Sequence, residues 1–230
     1  MRRFLKFLFI KLPLAFILLT VLWVVVLKWV PVWVTPLMIK RSIEYREDKD
    51  FKTQKKWKSL DEISPELVRA VIASEDNRFG EHDGFDRVEI KRAIDDHKNK
   101  GKRLRGASTI SQQTAKNVFC YPSRTLFRKG MEAYFTFLIE KIWGKRRIME
   151  VYLNVAEMGK GIYGAEAAAR KHFRHDAASL TRRESCLIAA CLPNPIKRNA
   201  GNPSNYVNRR AIMIASLEMK LEYPDWVRRK

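Results

Sequence analysis

The sequence predicts an all-α, mostly helical fold behind one N-terminal transmembrane helix. Three observations carry this: apolar residues recur at helical spacing along most of the chain, alternating strand patterns are scarce, and the first forty residues hold a long uncharged run. The spacing predicts helices over 64–79, 87–98, 108–119, 124–143, 146–157, 164–173, 181–191 and 206–220. Gly, Pro and Asn punctuate the joins at Gly101, Pro122, Gly144, Gly159 to Gly164 and Pro193 to Pro203, where loops are expected. Repeats and low-complexity tracts are absent.

Leu12 to Leu27 carries no charge, and after Lys28 the run from Trp29 to Ile39 is again uncharged. One segment can therefore cross a hydrocarbon layer of ~30 Å with residues to spare, and Lys28 can snorkel near the far interface. Arg2, Arg3, Lys6 and Lys11 precede it without an acidic partner, whereas residues 40 to 50 hold four basic and four acidic side chains. That asymmetry puts the N-terminus in the cytoplasm and everything after about residue 40 outside. A cleaved leader is the alternative, but no clear small-x-small site follows the run. The expected organisation is a cytoplasmic tail (1–11), a transmembrane helix (12–35), a linker (36–59) and one domain (60–230), long enough for a substantial core.

Within that domain, Ser64 and Pro65 read as an N-cap followed by a first-turn proline, and Leu67, Val68, Val71, Ile72 and Phe79 mark a buried stripe. Glu75 falls on it, four residues after Val71 and four before Phe79. A carboxylate there loses solvation, which raises its pKa toward the range useful for proton transfer. The bland alternatives are an exposed helix end or an ion pair with Arg78.

The formal net charge is +20. Most of it lies beyond the span, where the abundant anions are lipid headgroups and lipid-linked phosphates, so no nucleic-acid partner is expected. Three cysteines, Cys120, Cys186 and Cys191, make an odd number and read as buried or free thiols. No Cys/His cluster has zinc-ligand spacing, and no Gly-rich phosphate loop occurs.

Four motifs follow in order. Glu75-Asp76-x-x-Phe79-x-x-His82-x-Gly84-x-Asp86 is succeeded by Gly106 to Lys116 (GASTISQQTAK), by Arg128-Lys129-x-x-Glu132, and by Glu150 to Asn154 (EVYLN) with Gly161 to Ala165 behind it. Together they resemble the peptidoglycan glycosyltransferase family (glycosyltransferase family 51, the transglycosylase domain of penicillin-binding proteins), in particular its monofunctional membrane-anchored members. The resemblance runs from about Leu60 to Ala215. It implies a lysozyme-like lobe plus a smaller membrane-proximal lobe, and a catalytic domain in the periplasm on a single-pass anchor in the inner (cytoplasmic) membrane. It also implies polymerisation of lipid II into β-1,4 glycan with release of undecaprenyl pyrophosphate, and inhibition by moenomycin. Lipid II, the lipid-linked nascent glycan and the membrane are the implied partners, together with other cell-wall synthesis proteins.

By position the resemblance assigns the catalytic base to Glu75. Asp76 points about 100° away on an ideal helix and is expected to cap or bond the following loop. His82 is expected to fix that loop. Lys116 and Arg124 are assigned to the diphosphate, with Arg128 and Lys129 alongside. Glu132 is assigned to the same site as a second catalytic carboxylate that holds a divalent cation, Mg or Mn, against phosphate oxygens. Arg124, Arg128 and Glu132 stand at four-residue steps, so one helix face is expected for all three, although an ordinary (i, i+4) pair would look the same. Ser108, Thr109, Gln112 and Gln113 suit sugar and N-acetyl groups, or helix capping. Glu150, Tyr152 and Asn154 read as scaffold. Two positions depart from the family pattern: Met131 stands where some members carry lysine, and Ala107 where glycine is common.

Two other classes compete. A lysozyme-like peptidoglycan hydrolase would also use a glutamate on a helical lobe, but cutting a neutral glycosidic bond does not require Lys116, Arg124, Arg128 and Lys129. A noncatalytic scaffold or nucleic-acid binder gives Glu75 no task. No Ser-x-x-Lys occurs, so a transpeptidase site of that type is absent.

Overall fold

The computed structural model describes residues 7–100 and 108–227. It is mostly helical, with three short strands among the described residues, as the apolar spacing predicts. The chain begins with a π-helical turn, Phe7–Lys11, that continues as α1, Leu12–Leu27. Pro13 accounts for the wide first turn, because its ring crowds the carbonyl four residues back and it brings no N–H. Together they make 21 residues, an apolar helix long enough to span a membrane.

This helix stops at Leu27 instead of running to 35. Pro31 cannot continue it, and Arg147 takes over its orphaned carbonyls, donating to Leu27 O (2.8 Å) and Val30 O (2.7 Å). Val32 and Thr35 are buried against the domain. Where a linker is expected, Thr35 caps a second helix, α2 (Pro36–Glu44), accepting from Met38 N at 3.3 Å. Nine residues make a marginal helix in water, and tertiary contacts hold this one: Arg41 donates from two nitrogens to Glu157, each at 3.2 Å.

Among the described residues eight further α-helices follow: α3 (Pro65–Glu75), α4 (Arg87–Lys100), α5 (Ile110–Phe119), α6 (Leu126–Ile142), α7 (Gly144–Val155), α8 (Ala165–Phe173), α9 (Arg182–Cys191) and α10 (Asn205–Glu218). Each matches a predicted helix to within a few residues. In one group α3 packs on α9 and α10; in the other α5 packs on α6 and α7. The last eight residues of α7, Ile148 to Val155, are all buried, so α7 is the central helix. The sheet was not foreseen. β1 (Gln54–Lys55) runs parallel to β3 (Ile162–Tyr163), which pairs antiparallel with β2 (Glu157–Gly159). Strands this short leave too little alternation to read.

The anchor is docked, not dangling. Thr20 Oγ1 and Tyr134 OH lie 2.8 Å apart, Trp143 Nε1 donates to Val24 O at 2.7 Å, and the Trp23 ring meets Phe119 edge-on at 5.0 Å. All three cysteines are free and buried.

Candidate active site

Ser64 starts α3 by accepting from Glu66 N at 3.3 Å, and Pro65 fills the first turn. The helix ends at Glu75, four residues earlier than predicted, because Asp76 leaves it and turns inward. Its Oδ2 accepts from Ile110 N at 2.9 Å, at the start of α5, and its Oδ1 lies 2.9 Å from His82 Nε2. Gly84 N donates to His82 Nδ1 at 3.1 Å, which leaves the ring proton on Nε2 facing Asp76. Asp76 is 7% exposed. It is a structural carboxylate that ties the end of α3 to the first turn of α5, where a negative charge also suits the helix dipole.

Glu75 differs from the expectation. It is half-buried at the last position of its helix, and the buried carboxylate is its neighbour. Its two oxygens accept from Gln113 Nε2 (3.0 Å) and Ser74 Oγ (3.3 Å), both neutral donors. Arg78 pairs with Glu81 and sits 3.9 Å from Asp86, not with Glu75. Glu75 has no ion pair among the described residues. Gln113 is itself oriented by Tyr152 OH, which donates to its Oε1 at 3.4 Å from the central helix.

The second motif starts α5. Thr109 and Gln112 form a reciprocal capping box: Thr109 Oγ1 accepts from Gln112 N (3.1 Å), and Gln112 Oε1 accepts from Thr109 N (3.0 Å). Thr109 also donates to Gly84 O at 2.7 Å, and both side chains are buried. Their polar groups are thus committed to folding, while Ser108 stays exposed just before the cap. Gly106 and Ala107 lie outside the described residues.

One turn beyond Gln113 comes Lys116, half-buried and without a hydrogen bond or ion pair among the described residues. Burial lowers its pKa below the usual lysine value; Arg128 and Lys129 push the same way, while Glu132 and Glu75 oppose. Lys116 therefore feels the charges of all four. On α6, Arg128 and Lys129 each pair with one oxygen of Glu132, which is 3% exposed. Arg124 is not on their helix face. Thr125 is the N-cap, accepting from Arg128 N at 3.2 Å, so Arg124 lies ahead of the helix, exposed and without an ion pair among the described residues. Met131 is half-buried against the core, so this position faces packing, not the cation cluster.

The fourth motif is scaffold. Glu150 Oε2 accepts from Leu60 N (3.0 Å), and Asn154 both accepts from Lys58 N and donates to Lys58 O, each at 2.8 Å. Gly164 lies against the Asn154 backbone. Sequence reasoning missed the link from Tyr152 through Gln113 to Glu75, and placed Gln113 on the sugar instead. Lys116 and Gln113 stand three apart on one helix, and that spacing was the available signal.

Residues 36–218 match the Transglycosylase family model. A biosynthetic peptidoglycan transglycosylase of Bacteroides thetaiotaomicron is 56% identical over 199 residues, 86% of this chain and 80% of that protein. Proteins of the same name from Caulobacter vibrioides (47% identical, 91% and 89% covered) and Stutzerimonas stutzeri (46%, 94% and 94%) are similar along most of their length. The chain belongs to the transglycosylase family. Its activity is that of a peptidoglycan transglycosylase in cell-wall synthesis, an enzyme of glycosyl transfer.

Proposed function

We propose that this protein polymerises lipid II, with Glu75 as general base and the cations around Lys116 receiving the leaving diphosphate. The observation that carries the reading is the contrast in charge around Lys116: a carboxylate with only neutral donors, Glu75, acts on it from one helix, and Arg128, Lys129 and Glu132 act on it from another. The acceptor is the 4-hydroxyl of the terminal sugar of lipid II, and the donor is a nascent glycan carried on undecaprenyl pyrophosphate. The acceptor oxygen attacks the anomeric carbon from the face opposite the diphosphate, forming the β-1,4 bond as the anomeric carbon–phosphate oxygen bond breaks. The hydroxyl proton passes to Glu75, and the electron pair leaves with the pyrophosphate. Configuration inverts.

Positive charge near the departing oxygens stabilises the charge that develops there. Among the described residues Lys116 and Arg124 have no ion pair, which leaves them for the diphosphate, with Arg128 and Lys129 in the same motif set. Ser108, exposed ahead of the cap, remains available near the sugars, while Gln113 serves Glu75. The divalent cation expected at Glu132 does not fit this donor set: both oxygens are held by cations, and Glu132 belongs to no cluster of three potential metal ligands among the described residues. No step is drawn through a metal. The basic N-terminal tail supports a cytoplasmic N-terminus and a periplasmic domain on the inner membrane.

The experiment compares labelled lipid II with finished sacculi. Long glycan from lipid II, blocked by moenomycin, is expected. Shortened sacculi without polymer would leave the hydrolase reading in its place.

A further inference from the structure

The transmembrane helix ends at Leu27, yet the chain beyond it stays apolar and exposed. Trp29 is 69% exposed, Trp33 65%, Val34 61%, Ile39 52% and Ile43 63%. In water such a run is costly, and contiguous apolar surface of this kind marks a contact. Ile39 and Ile43 stand four apart on the outward face of α2, while Met38 on the other face is buried and α2 packs on α5. Between α2 and the Trp33 segment runs an apolar groove of about 490 Å³, with Ser42, Arg46, Thr53 and Lys55 at its margin.

The position of this surface says what covers it. Trp33 lies six positions beyond Leu27, at most ~20 Å of extended chain. Arg147 holds both Leu27 O and Val30 O, so the exit segment is kept beside the helix end. Lys40 Nζ donates to Pro122 O at 3.3 Å, which sets α2 next to the loop before α6, the helix on which α1 docks. Tryptophans flanked by lysines are suited to the headgroup boundary, with rings in the acyl edge and ammonium groups in water. Lys28 Nζ lies 5.5 Å from the Trp29 ring centre, and Lys55 Nζ 5.8 Å from that of Trp33.

We propose that Trp29, Trp33, Val34 and the Ile39/Ile43 face of α2 rest in the headgroup–acyl boundary of the bilayer, a second membrane contact beside the spanning helix. The proposal rests on the reading of α1 as a membrane span. Its consequence is mechanical. Through Met38 and the packing of α2 on α5, the contact fixes the height of the helix that carries Gln113 and Lys116 above the lipid surface. A lipid-linked diphosphate emerging from the bilayer then meets its cations at a set depth.

Single cysteines replacing Ile39, Ile43, Leu18 and Ile212 provide the test, each labelled with bimane in the full chain in phosphatidylethanolamine/phosphatidylglycerol vesicles. The native thiols do not compete, because burial pushes Cys120 to about 11, Cys186 to about 12 and Cys191 to about 11. Labels at 39 and 43 should be quenched at least twofold by lipids brominated near the headgroup and be shielded from aqueous iodide. The label at 18 should be quenched by lipids brominated deep in the chains, and that at 212, exposed on α10, by iodide alone. Quenching at 18 with free iodide access at 39 and 43 overturns the second contact and leaves the span standing. No lipid quenching at 18 overturns both. The double variant Ile39→Asp, Ile43→Asp adds a functional measure: its melting temperature should hold, because both side chains are exposed, while polymerisation on vesicles falls about tenfold relative to detergent. An equal rate in both media overturns the proposal.

Discussion

Two adjacent carboxylates have opposite tasks, and separate substitutions should divide them. Asp76→Ala removes the acceptor for Ile110 N and the partner of His82, both at 2.9 Å, the first buried and the second partly buried. A hydrogen bond to a charged group contributes about 1.5–3 kcal/mol, and the first turn of α5 also loses its compensating negative charge. The expected loss is about 3–5 kcal/mol. A domain of this size shifts by about 2–4 °C per kcal/mol, so the melting temperature should fall by about 10 °C. Asp76→Asn keeps one acceptor and should cost about half as much. Glu75→Gln retains an oxygen for Gln113 on a half-buried residue, so its stability should stay within about 0.5 kcal/mol while polymerisation drops about a hundredfold or more.

The assay pairs thermal unfolding of the detergent-solubilised full chain with glycan synthesis from labelled lipid II. Suppose Asp76→Ala melts within 2 °C of wild type, by the roughly 2–4 °C per kcal/mol scale, and loses synthesis, while Glu75→Gln remains active. The assignment of base and brace is then reversed, and the reasoning from hydrogen-bond partners fails.

Other expectations follow from the same geometry. Burial lets Lys116 lose its proton at a lower pH than an ordinary lysine, so kcat/KM should fall on the alkaline side as pH rises through that lowered pKa; Lys116→Arg should move this limb to higher pH. For stability the sign is opposite: the strain of the buried ammonium is present at lower pH and is relieved as pH climbs through the lowered pKa. Tyr152→Phe removes the donor that orients Gln113, and should lower kcat about three- to tenfold with KM unchanged; a KM effect alone would make the tyrosine a substrate contact. Gly164→Ala adds a Cβ 2.8 Å from Asn154 O at a φ of +81°, and should cost at least about 2 kcal/mol in a melting experiment.

The helices were legible because their signals are local. Ser64-Pro65 starts α3, Thr109 with Gln112 starts α5, and Ser204 caps α10, each marked by residues within one turn. The elements between the apolar helix α1 and residue 60 were not, because α2 and β1 are held by distant partners. Arg41 needs Glu157, and Gln54 needs the backbone of Gly161. The early end of the membrane helix was partly visible in Pro31, but the capping of its carbonyls by Arg147 joins residues more than a hundred positions apart.

The candidate site shows the same limit in a sharper form. Helical spacing put Glu75 on the apolar stripe of its helix, yet it assigned burial to the wrong glutamate. A helix position says which way a side chain leaves the backbone, but not whether the neighbouring surface is covered. On α6 the surface is covered, and Glu132 lies in it with Arg128 and Lys129 on its two oxygens, a pairing that commits it to holding cations in place. On α3 the helix ends as the chain turns away, and Glu75 is left half open with only neutral donors. A base must release its lone pair to an incoming proton, so the carboxylate that no cation has claimed is the one suited to that work. Exchanging the pairing, by Gln113→Arg, should place a cation on Glu75 and lower its basicity. The rate at neutral pH should fall about tenfold or more, with the fold intact. A fully active Gln113→Arg enzyme would show that proton transfer does not pass through Glu75.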